Sequence, residues 1–290
     1  TKDLLTTCSS KILYNFNGDN MSLIKYIIVA IIQGLTEPLP ISSSGHMYLF
    51  KSIFNTNMAS DLNFEIICNF GSFLAILFIF RKDVIKLIKD FFTYIFNKDS
   101  RDKTKYGFKY ALYIIISTIP VGLSGLFLKD FIEEKLTSVK ILGFAFLLTA
   151  LALFIVRNIK GEKDDKDITL KDAIIIGLFQ MITIMPGISR SGTVLVACLL
   201  CKLKRETSLK YTFMLYFPVS VAAMGLGVKD MLNTPNMSSL ILPYAIGMVI
   251  ALVITLFSYE WLSNTVKKGK LVYFSIYCLL LAAFIFIYFR

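Results

Sequence analysis

Eight stretches of this chain are apolar on the scale of a membrane crossing, and two of the eight are broken in the middle. A spanning helix needs roughly 20 apolar residues, with about 17–25 the usual range. Residues 63–80, 108–128, 140–157, 211–229, 239–262 and 271–289 meet that requirement without interruption. Residues 22–50 are interrupted by Glu37, Pro38, Pro40, a serine run and His46. Residues 172–201 are interrupted by Pro186, Gly187, Ser189, Arg190 and Ser191. Broken backbone is not tolerated against lipid; it must be buried in protein or line a wet cavity. Both broken stretches are therefore expected to be re-entrant helix–loop–helix hairpins. The expected fold is an all-α polytopic membrane protein with six transmembrane helices plus two such hairpins.

Composition agrees. The chain has 290 residues, of which 56% are hydrophobic and 18% charged, and this excludes a disordered chain, a disulfide scaffold and most soluble enzymes. The net charge of +11 does not indicate nucleic acid, because the basic residues lie between apolar runs rather than on one soluble face. Nine Lys or Arg fall in 81–109, five in 157–171, four in 202–210 and three in 263–270. The alternate segments 47–62, 129–139 and 230–239 carry one, two and none. The positive-inside rule puts the first set in the cytoplasm. The first hairpin then enters from outside and the second from the cytoplasm. Residues 1–20 are polar, aperiodic and without an apolar signal core, and are expected to be an extension to a single membrane domain, 21–290. Cys198 and Cys201 form a CxxC inside an apolar run and are expected to be core residues, not zinc ligands.

A shift of 147 residues aligns the two broken stretches without gaps. Gln33, Thr36, Ile41, Ser42, Ser44 and Gly45 meet Gln180, Thr183, Ile188, Ser189, Ser191 and Gly192, six identities over positions 33–45. The opposed entry sides follow independently from charge. Together they indicate an inverted-topology repeat with halves of about 21–150 and 168–290, whose site lies where the broken helices meet.

The first break reads Gln33-Gly-Leu-Thr-Glu37-Pro-Leu-Pro-Ile-Ser42-Ser43-Ser44-Gly45-His46. Gln33 and Glu37 are four apart and share a helix face. Pro38 and Pro40 end that helix, and Ser42, Ser43, Ser44 and Gly45 supply hydroxyls and N–H groups at the next helix start, an anion site. The second break reads Pro186-Gly-Ile-Ser189-Arg190-Ser191-Gly192-Thr193. Arg190 adds a cation with a planar donor fork suited to phosphate. An arginine near the bilayer centre costs about 2.5–3.5 kcal/mol on insertion scales, so a function is expected of it. Singly, each of these residues has a structural explanation as cap, pair or core hydrogen bond. Recurrence in two related breaks favours a shared polar site that binds phosphate or pyrophosphate at membrane depth. Glu65 and Asn69, near the outer end of the first spanning helix, face either that site or the interface.

These motifs resemble those of the bacterial undecaprenyl-pyrophosphate phosphatase family, also known from bacitracin resistance, from about Met21 to the C-terminus. Phe64-Glu65 followed by Gly71-Ser72 is similar to that family as well. The resemblance implies an integral phosphatase of the bacterial plasma membrane, with its active site facing the outer leaflet. It also implies a C55 polyprenyl pyrophosphate as substrate, a divalent cation (Mg²⁺ or Ca²⁺) as cofactor, and often a homodimer. This chain has Gln33 where many members have Glu.

On that reading Arg190, Ser189 and Ser191, with Gly192 and Thr193, hold the pyrophosphate. Glu37, with Gln33, binds the metal or orients the nucleophile. Ser43 is a candidate nucleophile with His46 as base; alternatively His46 attacks, or activates water. The rival reading is a transporter that flips the monophosphate carrier, since paired broken helices are also a transporter layout.

Overall fold

The computed structural model describes residues 23–54, 62–136, 138–231 and 237–289; the 1–20 extension and Cys8 lie outside them. Among the described residues the regular structure is helical. The helices are α1 (Leu23–Thr36), α2 (Ser43–Phe54), α3 (Leu62–Phe96), α4 (Arg101–Phe127), α5 (Lys129–Lys135), α6 (Val139–Val156), α7 (Leu170–Met181), α8 (Arg190–Leu200), α9 (Arg205–Met231), α10 (Met237–Lys267) and α11 (Val272–Tyr288). The one isolated β-bridge among these residues joins Lys163 to Leu203.

Polarity runs inside out. Phe78, Leu126, Phe127, Phe144, Leu280 and Ile287 are more than half exposed, whereas Ser72, Ser117, Gln180, Ser208 and Thr255 are buried. A soluble protein does not display apolar surface on this scale; lipid is the environment that tolerates it. The chain is a multi-pass membrane protein. Among the described residues four helices are long and apolar enough to span, Asn63–Phe96, Lys98–Phe127, Val139–Val156 and Leu240–Lys267. α9 and α11 occupy the other two expected spans. α9 is the more polar, with Thr207, Ser208 and Thr212 turned inward. Cys198 and Cys201 are free and buried, as expected of core residues.

Without a hydrophobic drive between helices in lipid, polar contacts join them. Thr255 Oγ1 on α10 donates to Gly34 O at 3.1 Å and Ser72 Oγ at 2.9 Å. Ser258 Oγ donates to Leu35 O at 2.5 Å. These bonds fix the last turn of α1 just before Glu37. Ser117 Oγ on α4 donates to Ala173 O on α7 at 2.7 Å and lies 2.9 Å from the Tyr211 hydroxyl on α9.

The basic segment 81–109 is mostly helix, where a loop was expected. α3 continues to Phe96 and α4 begins at Arg101. Phe91 and Tyr94 stack on Phe108 with ring centres 5.3 and 4.1 Å apart, joining the two helices beyond the apolar zone. The basic side chains stay polar while the aromatic stripe supplies packing.

The segment leading into α7 is locked by Asp172. Lys163 Nζ donates to both its oxygens at 2.9 Å, and Thr169 N and Oγ1 donate to Oδ2 at 2.9 and 2.8 Å. Asp172 N donates back to Thr169 Oγ1 at 3.2 Å, completing a capping box. Asp172→Ala removes the box and leaves the Lys163 charge without its partner. We expect a loss of about 2–3 kcal/mol in unfolding of the detergent-solubilised protein; a change below about 0.5 kcal/mol would contradict this account of the lock.

Candidate functional site: two interlocked helix breaks

Each break ends in a serine cap, but the left-handed residue differs, Ser42 in the first and Gly187 in the second. After α1, Pro38 and Pro40 stop the helix and Ser42 adopts φ 67°, a left-handed conformation that costs a non-glycine residue roughly 1–3 kcal/mol. Ser42 then caps α2: Gly45 N donates to Ser42 Oγ at 3.1 Å. After α7 a short 3₁₀ turn, Ile182–Ile184, leads through Gly187, at φ 89°, to Ser189. Ser189 caps α8, with Gly192 N donating to its Oγ at 3.1 Å. Thr193 N donates to Ser189 O at 2.9 Å in the first turn.

The breaks cross at their small residues. A Cβ added to Gly45 would lie 3.2 Å from Gly187 Cα, and one added to Gly192 would lie 3.2 Å from Pro40 Cβ. The 147-residue register relates these two contacts to each other. Ser191 Oγ donates across the crossing to Leu39 O at 2.9 Å.

Glu37 lies at the centre. Arg190 Nη2 donates to Glu37 Oε1 at 3.0 Å. Glu37 Oε2 accepts from Ser43 Oγ at 2.5 Å and from Gln33 Nε2 at 2.9 Å. Gln33 Nε2 also donates to Asn69 Oδ1 on α3. The Glu37 side chain is 8% exposed and that of Arg190 27%. A buried carboxylate is tolerated when a cation and further donors surround it, and Glu37 has both. The starts of α2 and α8 bring Ser43 and the Arg190 fork to one carboxylate, a hydroxyl and a cation at helix starts, the chemistry of a phosphate site. The Ser42 and Ser44 hydroxyls lie 3.4 Å apart, and those of Ser189 and Ser191 3.2 Å apart.

His46 is turned elsewhere. Its Nδ1 lies 2.7 Å from Ser42 O and its Nε2 2.7 Å from the Tyr277 hydroxyl on α11. A carbonyl only accepts, so Nδ1 carries the proton and Nε2 accepts from Tyr277. Both ring nitrogens are thus engaged, neither with Ser43.

The donor set does not fit a resident divalent ion. Among the described residues no group of three or more His, Cys, Asp or Glu gathers. Gln33 presents its amide nitrogen to Glu37, whose oxygens already meet Arg190 and Ser43.

The comparisons with known proteins cover nearly the whole chain. Residues 26–284 match the family model described as bacitracin resistance protein BacA. The chain is 41% identical over 266 residues to undecaprenyl-diphosphatase 1 of Bacillus cereus, covering 92% of this chain and 97% of that protein. It is 40% identical over 271 residues to undecaprenyl-diphosphatase 1 of Bacillus licheniformis, covering 93% and 99%. The chain belongs to the BacA family.

In this BacA family member Gln33, Ser43 and Arg190 meet Glu37, Gly45 and Gly192 pack at the crossing, and His46 faces away from Glu37. Sequence reading missed two contacts, Tyr277 on His46 and Tyr216, whose ring centre lies 4.6 Å from the Arg190 guanidinium carbon. Tyr277 leaves no sequence signal. Tyr216 does leave one, since it stands 147 residues after Asn69.

The crossing predicts a mutational effect. A methyl group at position 45 would meet Phe146 Cζ at 2.8 Å and Ser42 Oγ at 3.0 Å, besides Gly187. Gly45→Ala is expected to lower stability by about 1–3 kcal/mol in thermal unfolding of the solubilised protein. An unchanged melting point would mean that the breaks do not cross this closely.

Proposed function

We propose that this chain hydrolyses undecaprenyl pyrophosphate to undecaprenyl phosphate and inorganic phosphate, recycling the lipid carrier of cell-wall synthesis. The observation that carries this reading is the double engagement of Glu37, with one oxygen on the Ser43 hydroxyl and the other on Arg190. The family and the names of its relatives support the substrate.

Ser43 is the nucleophile and Glu37 its base. Ser43 Oγ attacks the terminal phosphorus while its proton passes to Glu37 Oε2. The bridging P–O bond breaks, and its electron pair leaves with the lipid monophosphate. Glu37 hands that proton to the departing monophosphate; water then attacks the phosphoserine and gives its proton to Glu37, the P–Oγ bond breaks, and Glu37 returns the proton to Ser43 Oγ as phosphate leaves. Arg190 exchanges Glu37 for pyrophosphate oxygens and holds the developing charge, with the starts of α2 and α8 adding N–H and hydroxyl donors. His46 holds the Ser42 carbonyl and thereby the turn that presents Ser43. A divalent ion required for turnover would arrive on the phosphate oxygens of the substrate.

In the bilayer the six long apolar stretches would span, and α1–α2 and α7–α8 would form opposed re-entrant hairpins of an inverted repeat. Loop charge supports a site open to the outer leaflet of the plasma membrane. A flippase built on this layout would need Arg190 and N–H donors; a carboxylate hydrogen-bonded to a serine favours hydrolysis.

The test is phosphate release from a polyprenyl pyrophosphate by purified protein. Ser43→Ala and Glu37→Gln should each lower kcat by about 10²–10⁴-fold, and Arg190→Ala by about 10²–10³-fold. His46→Ala should lose about tenfold, an effect on positioning alone. A His46→Ala loss as deep as that of Ser43→Ala, with Glu37→Gln still active, would exchange the two roles.

A further inference from the structure

Arg190 is held from two directions. Glu37 meets its edge, and the ring of Tyr216 on α9 lies against its guanidinium with 4.6 Å between ring centre and Cζ. The carboxylate thus holds the edge of the cation and the aromatic ring its face. Tyr216 is 7% exposed, and Phe73, Phe213 and Phe217 pack on its ring at 6.2–6.4 Å between centres. Its place is thus set by the aromatic core rather than by the site it touches.

The repeat gives this position a meaning. Asn69 on α3 braces Gln33 in the first break. Tyr216 occupies the same register in the second half, 147 residues on, and braces Arg190. In both halves the helix that follows the hairpin supports the break from one position.

We propose that Tyr216 is a positioning residue for hydrolysis: its ring fixes the plane of the Arg190 guanidinium. The inference rests on the roles assigned above to Arg190 and Glu37. When pyrophosphate enters, Arg190 must give up Glu37 for phosphate oxygens. The ring contact does not depend on that exchange, because it uses the face of the guanidinium and leaves the N–H fork free. The cation thus keeps its position while it changes partners.

Two substitutions separate the two ends of the side chain. Tyr216→Leu removes ring and hydroxyl; Tyr216→Phe removes the hydroxyl alone. In steady-state phosphate release, Tyr216→Leu should raise KM about tenfold, between the sizes of an exposed and a desolvated cation–π contact. Tyr216→Phe, which keeps the ring, should leave KM within about twofold. The affinity for farnesyl methylenediphosphonate, a pyrophosphate that is not hydrolysed, should fall about tenfold in Tyr216→Leu. It should fall by less than about twofold when Arg190 is already Ala, as two residues that act through one contact require. Melting points of all variants separate these effects from loss of fold. An unchanged KM in Tyr216→Leu, or the same loss of affinity with and without Arg190, overturns the inference. An active Arg190→Ala overturns the site reading itself, and this inference with it.

Discussion

The ion pair between Glu37 and Arg190 joins side chains 153 residues apart in the chain. A carboxylate at 8% exposure pays a desolvation cost of several kcal/mol unless cation and donors are in place together. That condition shapes the surrounding structure. The two breaks must cross closely, which requires Gly45 and Gly192 at the contact. The end of α1 must be fixed, and Thr255 and Ser258 hold its last carbonyls. Ser42 must turn through a left-handed conformation so that Ser43 starts the next helix beneath Glu37. None of these features serves the core as such; each of them places one of the charged or nucleophilic groups.

The two breaks that the 147-residue shift aligns hold their polar chemistry together. Irregular backbone at membrane depth has to be sealed by protein, and each break seals the other: Leu39, Ile41 and Ile188 are all nearly fully buried. The halves then divide the work. Where the first has Ser43, the second has Arg190; where the first has Glu37, the second has Ile184. Gln33 and Gln180 are equivalent in register, yet only Gln33 has a carboxylate four residues on. The Gln180 amide is buried with neither its nitrogen nor its oxygen partnered in the protein, so the polar position persists in the half that lacks the carboxylate.

Local spacing carried much of the site. The interval of four between Gln33 and Glu37 becomes a 2.9 Å hydrogen bond, and the serines three residues before Gly45 and Gly192 become helix caps. The same logic misled at His46. Three residues from Ser43 suggests a shared face, but the ring turns to Tyr277, 231 residues away. A partner that distant has no local signature, whereas Tyr216 is marked only by standing 147 residues after Asn69, inside an aromatic run. The basic segment 81–109 read as a loop because charge dominates its composition; the aromatic stripe that makes it helical emerges when Phe91 and Tyr94 meet Phe108 on the next helix.

The central claim is that one carboxylate activates a serine of its own break while paired to an arginine from the other. Mapping the phosphate carried by protein quenched in detergent at mildly alkaline pH, where phosphoserine and phosphohistidine both survive, during turnover of substrate labelled in its terminal phosphate tests it most directly. The account predicts label on the peptide containing Ser43 in the native protein and its loss in Glu37→Gln. Label on His46, or on Ser43 to the same extent without the Glu37 carboxylate, would contradict it.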